Sequence, residues 1–149
     1  MTLLIKNFTK NKLNPKHLNK IAEKTLEVAK FKKPTEISLV IVGEKRIRLL
    51  NKKFRGIDMI TDVLSFGDEE VKSGSAKFIS PPNKIIYLGE IFICYSQARK
   101  QAREKKHSTK KEIAVLFIHG ILHLVGYDHK GSYEDSEMKD IERKILSFL

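Results

Sequence analysis

Three of the chain's five histidines fall in one short stretch, HGILHLVGYDH, residues 119–129. His119 and His123 stand four apart, so on a helix their rings share one face, a turn apart. Gly126 lets the chain reverse and swing His129 back toward the pair. Three imidazoles can hold a zinc ion at ~2.0–2.1 Å and leave a fourth position for water, the open arrangement of a catalytic site. A lone histidine on an apolar helix is more often a hydrogen-bonded core residue, and two at this spacing arise by chance. Three at i, i+4 and i+10, with glycine at i+7, are much harder to reach by accident. Burying an unpaired imidazole on so apolar a helix would also cost about 1–3 kcal/mol. A metal supplies the partner.

The spacing resembles the metzincin protease motif, H-E-x-x-H-x-x-G-x-x-H. Where that motif carries its general-base glutamate, this chain has Gly120. Peptide hydrolysis by that route is therefore disfavoured. Glu112 lies two turns earlier on the same helix face, too far to substitute directly. Asp62 and Asp128 are candidate acceptors for the other nitrogens of ligand imidazoles, or turn and cap residues. Tyr127 has a ring that can stack on a base, though its position favours the core. Cys94 and His107 read as structural or incidental.

A second pattern is charge. The net charge is +11 and the pI near 9.7, which points first to nucleic acid and second to an anionic membrane as partner. The run RKQAREKKHSTKK, residues 99–111, sets seven Lys or Arg against one Glu. Its Arg99, Arg103, Lys105, Lys106 and Lys110 can track an RNA backbone, or form no more than a solvated helix end. Arg55 precedes Gly56 after a helical stretch and can grip a phosphate bidentately; a surface salt bridge is an equal alternative.

The elements that must position these residues are readable in outline. Residues 2–7 suit a short edge strand. Asn14-Pro15 gives an N-cap and first-turn proline to a helix whose inner face is Leu18, Ile21, Ala22, Leu26 and Ala29, with Pro34 as its stop. Residues 36–42 are a buried strand. Residues 44–54 are a helix with Ile47, Leu50 and Phe54 inward. Residues 62–66 form a short strand, 67–83 a long loop of the kind that is usually functional or mobile, and 84–94 a strand with Gly89 as a bulge or close approach. A helix covers 95–106. Thr109 and Glu112 have capping-box spacing at the start of the next, whose span Ile113–Val125 is apolar nearly all round and so central. Gly126 suits its left-handed C-cap. A last helix runs over about 134–147 with Met138, Ile141 and Ile145 inward. Mixed elements without strict alternation imply an α/β or α+β fold, and α+β is the expectation, with a small mixed sheet packed on the histidine helix.

At 149 residues, with 41% hydrophobic and 32% charged residues, the chain fits one globular domain, 1–149. A single cysteine excludes an internal disulfide and suits a reducing, cytoplasmic setting. No stretch is long enough to span a membrane, and the N-terminus lacks a signal-peptide pattern.

Beyond HGILHLVGYDH, the blocks Asn51–Arg55, Thr61–Phe66, Leu88–Ile91 and the pair Met138 and Glu142 resemble the YbeY family of bacterial rRNA maturation endoribonucleases. The resemblance covers about residues 50–145. It implies a single-domain α+β fold, one zinc ion on His119, His123 and His129, a functional role for Arg55, single-strand-specific RNA cleavage, and a place in 16S rRNA processing and ribosome quality control. The oligomeric state is left open by the sequence, with a monomer as the expectation. One departure is Glu90, where the family block reads aspartate. Two other functions remain open on the residues alone: an assembly factor with a structural zinc that binds rRNA without cutting it, and, less favoured, a zinc peptidase. The missing carboxylate base mildly favours the first of these, or a slow nuclease.

Overall fold

The computed structural model describes residues 1–67, 84–127 and 132–149, with the backbone alone over 132–136. Among them are four strands, β1 (Thr2–Asn7), β2 (Thr35–Val42), β3 (Val63–Gly67) and β4 (Ile86–Cys94). The helices are α1 (Pro15–Val28), α2 (Glu44–Arg55), α3 (Tyr95–Glu104), α4 (Thr109–Leu124) and α5 (Ser132–Ser147). The sheet order is β1-β2-β4-β3, with β1 and β4 parallel to β2 and β3 antiparallel to β4. The fold is thus α+β with a small mixed sheet, as the sequence implies.

One face of the sheet carries the main core. Ile37, Leu39, Ile41, Leu88, Ile91 and Ile93 pack there against Leu18 and Ile21 of α1 and Phe117, Ile118 and Ile121 of α4. The apolar wrap of α4 is explained by its neighbours: it touches α1, α3, α5, β3 and β4. Among the described residues, α2 is what covers the opposite face, over Val40, Val42, Leu64 and Cys94. Between Glu36 and Ile37 the β2–β4 register shifts, and Gly89 sits at the irregularity with φ 139°. A side chain there would run into the Phe66 carbonyl oxygen and the Gly67 backbone, so both expectations for Gly89 hold.

Three helix ends share one device. At α4, the amide of Gly126 (φ 107°) donates to the His123 carbonyl and that of Tyr127 to Leu122, the paired bonds of a Schellman turn. The same pair closes α1 through Lys30 and Phe31, and α3 through Lys106 and His107, with both lysines left-handed at φ 59° and 57°. The first helix therefore ends at Val28, well before Pro34, because the apolar Phe31 folds back onto the core.

Two further expectations are corrected. The N-cap of α4 is Ser108, whose Oγ accepts from the Lys111 amide at 3.1 Å; Thr109 and Glu112 make no capping box. On α2, Phe54 is exposed rather than inward, and the buried residues are Ile47 and Asn51. Asn51 is drawn in because its Nδ2 donates to the Met59 carbonyl at 2.9 Å, tying down the turn after Gly56. The long loop lies outside the described residues apart from Gly67, which ends β3.

Candidate active site

The C-terminal half of α4, the edge strand β3 and the last residue of α2 enclose an open cleft of about 670 Å³. Its walls carry Arg55, Asp62, Ser65, His119, His123 and Tyr127. Arg55 and the two histidines, far apart in the chain, thus share one cavity.

Helical spacing does what it promised: the Nε2 atoms of His119 and His123 face each other at 3.2 Å, with ring planes 74° apart. That separation suits a proton held between two imidazoles. It also matches two ligands of one tetrahedral ion, whose nitrogens at ~2.0–2.1 Å from the metal stand ~3.3–3.4 Å from each other. Both rings are half-buried and line the cleft, so the described residues fit a metal centre as one edge of its ligand set. His129 and Asp128 lie outside the described residues. Among the described residues, no group of three His, Cys, Asp or Glu side chains is placed to hold a metal.

Gly120 explains the missing glutamate. A Cβ there would come 2.9 Å from Ile91 Cγ2 and 3.1 Å from Ser65 Oγ. The residue after His119 is where α4 rests on the sheet, and close packing leaves no room for a side chain. Ser65 sits beneath this contact, its Oγ 3.5 Å from the Gly120 carbonyl.

Arg55 ends α2, followed by Gly56 at φ 72°. Its Nη2 donates to the Ser65 carbonyl at 2.9 Å, and its guanidinium lies 5.4 Å over the Phe66 ring. Its anchors are a carbonyl and an aromatic face, so its positive charge stays available to the cleft. The salt bridge in this region belongs to its neighbour Arg48, which holds Asp58 at 2.8 Å and keeps that carboxyl below its ordinary range.

Asp62 opens β3, its carboxylate accepting from the Val63 amide at 2.7 Å and from Gln101 Nε2 at 3.2 Å. It lines the main cleft and a smaller cavity of about 260 Å³ behind His119, shared with Lys105, Lys139 and Glu142. Its turn role is visible, and it stands beside the histidines as well. Gln101, Ser65 and Glu142 contribute to the surroundings; only Ser65 and Glu142 carried a sequence signal, as members of recurring blocks.

The basic run does not form one stripe. Lys105 turns back to Glu112 at 3.1 Å and faces the rear cavity, while Lys110 lines a separate pocket with His17 and Tyr95. Arg99, Arg103 and Lys106 are exposed on the surface. Glu112, fully buried, also takes His107 Nε2 at 2.7 Å, so both are structural. Tyr127 is half-buried at the cleft wall and packs on the core. Cys94 is buried, and Glu90 is exposed on the far face of the sheet.

The profile of the family described as Endoribonuclease YbeY matches residues 4–149. The chain is similar to the endoribonuclease YbeY of Dehalococcoides mccartyi, at 41% identity over 98% of this chain and 91% of that protein. It is also similar to that of Heliobacterium modesticaldum, at 46% identity over 75% of this chain and 68% of the relative. The solution structure of a Thermotoga maritima protein superposes with a TM-score of 0.61 at 30% identity, over 98% of this chain and 90% of that one. No helix among the described residues is long and apolar enough to cross a membrane. A profile matched over nearly the whole chain, together with these identities, shows that the chain belongs to the endoribonuclease YbeY family.

Proposed function

We propose that this chain is a zinc-dependent, single-strand-specific endoribonuclease acting in 16S rRNA maturation and ribosome quality control in the cytoplasm, as one domain over residues 1–149. The observation that carries the reading is the shared cleft, in which His119 and His123 bring their Nε2 atoms to 3.2 Å and whose wall also carries a guanidinium anchored by a backbone carbonyl. His129 is the third ligand on this reading, one ion per chain. Bound there, zinc supplies Lewis acidity toward a phosphoryl oxygen and makes water a better nucleophile.

The chain's own residues supply the rest. Arg55 pairs with a non-bridging oxygen of the scissile phosphate and stabilises the negative charge that grows there. The Ser65 carbonyl and Phe66 ring fix its direction, so little ordering is left to be done at the moment of reaction. The net charge of +11 concentrates RNA at the surface. Arg99, Arg103, Lys105, Lys106 and Lys110 are assigned to backbone contact, with Lys105 the weakest member because Glu112 engages it.

An RNA cleavage assay tests the reading: metal-depleted protein, the same protein restored with zinc, and His123→Ala. Activity returning with zinc only in the parent is the expected result. Equal cleavage by all three would refute the zinc dependence, and no cleavage by any would leave the assembly-factor reading in its place.

A further inference from the structure

The cleft has a neighbour that the chemistry above does not use. On the α2 side of β3 and β4 lies a groove of about 500 Å³, walled by Phe54, Phe66, Phe92 and Tyr87, with Lys53 and Glu90 also lining it. Phe54 is 54% exposed, unusual for a ring already in contact with others. It packs on Phe66 at 5.0 Å between centroids, and Phe66 meets Phe92 at 5.8 Å, tilted or edge-on in each case. Groove and cleft meet at Gly67, which lines both. They meet again at Phe66, whose ring walls the groove while Arg55 of the cleft lies over it.

Aromatic faces flanked by cations suit a nucleobase on a phosphate chain. Arg55 sits 5.4 Å over Phe66 and Lys53 5.2 Å over Phe54, so phosphates on either side of a stacked base find a positive partner. Lys53 is exposed on a flexible stem and can yield the ring face to a base. Glu90 repels phosphate, which leaves the base rather than the backbone to enter. A carboxylate accepts from an exocyclic amino group and meets only acceptors and an imide N–H on uracil.

We propose that this groove holds one unpaired nucleobase of the RNA, next to the phosphate that reaches Arg55 and the histidines, and that Glu90 favours a base bearing an amino group over uracil. The inference rests on the RNA-cleaving reading and gives it a cause for single-strand preference. A base can enter the groove only when it is out of a duplex.

The test uses zinc-loaded protein and a single-stranded 2′-O-methyl oligonucleotide, checked intact after titration, with one abasic position moved along its length. In the parent, affinity should fall about 10-fold at one position and little elsewhere. Phe54→Ala should lose about 10-fold on the intact strand and nothing more when that position is abasic. Phe54→Trp should keep the affinity, and its fluorescence, the only tryptophan signal in the chain, should be quenched on binding. Glu90→Gln should narrow the discrimination against uracil at that position. A flat abasic profile with Phe54→Ala equal to the parent overturns the proposal, even if the variant has lost a protein partner at this face. Cleavage of natural RNA by the zinc-restored parent, run in parallel, separates the two failures. Cleavage with a flat profile sinks the groove alone, and no cleavage sinks the reading beneath it.

Discussion

The two ends of α4 carry two polar clusters on one apolar helix. At the N-terminal end, Glu112 is fully buried and satisfied from within the chain, by His107 Nε2 at 2.7 Å and Lys105 Nζ at 3.1 Å. The Schellman turn through Lys106 places His107 where it can reach back. At the C-terminal end, His119 and His123 bring two groups of the same kind to 3.2 Å at the wall of an open cleft. Unlike partners that close on each other hold the fold together. On the proposed function, the like groups that converge beside solvent are the ones that would take a metal between them. Buried polarity alone does not mark a site; complementarity within the cluster separates the two cases.

The sharpest way to break this contrast is to remove the histidines. His119→Ala and His123→Ala should each drop metal content well below one per chain and bring single-turnover RNA cleavage to background. The thermal midpoint of the metal-free protein should move little, since both rings are only half-buried. Elemental analysis of the double variant decides it, and a full complement of metal there would refute the assignment. Arg55→Ala should cost about 100-fold in cleavage rate with metal content intact. Arg55→Lys should recover only part, keeping the charge and losing the planar fork. A midpoint that falls together with the rate would make Arg55 a structural residue, holding β3 through the Ser65 carbonyl.

The other cluster should respond in the opposite currency. Removing both Lys105 and His107 as alanines leaves a buried carboxylate without its partners, at a cost of about 3 kcal/mol. For a chain of this size that is roughly 6–12 °C in the midpoint. Adding Glu112→Leu should restore most of it, because an apolar side chain needs no partner there. Metal content and cleavage should stay at the parent level throughout, apart from a small loss of RNA affinity from Lys105. If the triple variant is no more stable than the double, Glu112 is not the group those partners serve.

The sequence disclosed the histidine pair because i and i+4 on a helix is a local relation, fixed by the 3.6-residue turn and needing no knowledge of the rest of the fold. Gly126 was legible for the same reason. The ends of α1 and α3 were not, since their left-handed residues are Lys30 and Lys106, which carry no glycine signal. Glu112 looked like half of a capping box with Thr109, when its partners lie on the preceding turn; Ser108, one residue before Thr109, was the cap. Phe54 fitted the inner stripe of α2 by period, yet α2 covers too little of the sheet to bury it, and Asn51 was drawn in by the Met59 carbonyl instead. The meeting of Arg55 with the histidines is tertiary, and no spacing within the chain could have announced it. Resemblance to a family pointed to Arg55, and the cleft it shares with the histidines is what supports the proposal.

The smallest expected effect lies at the margin of the closed cluster and tests how far it extends. Glu142 of α5 is half-buried beside the rear cavity. Burial pushes its carboxyl above the ordinary 4.5, Lys105 pulls it back, Glu112 pushes it up again, and Lys139 and Arg143 lower it slightly. The folded chain therefore binds this proton more tightly than the unfolded one. Stability from Glu142 is fully present below about pH 4.5 and is lost as pH rises through its elevated value. At neutral pH the ionised group is a small liability, which Glu142→Gln removes. The glutamine variant should melt slightly higher than the parent at pH 7, and the two midpoints should converge near pH 4. Thermal scans of both proteins across that interval, in metal-free buffer, measure it directly. A variant that melts lower than the parent at pH 7 would mean that Lys105 holds Glu142 as an ion, and that the closed cluster has a fourth member.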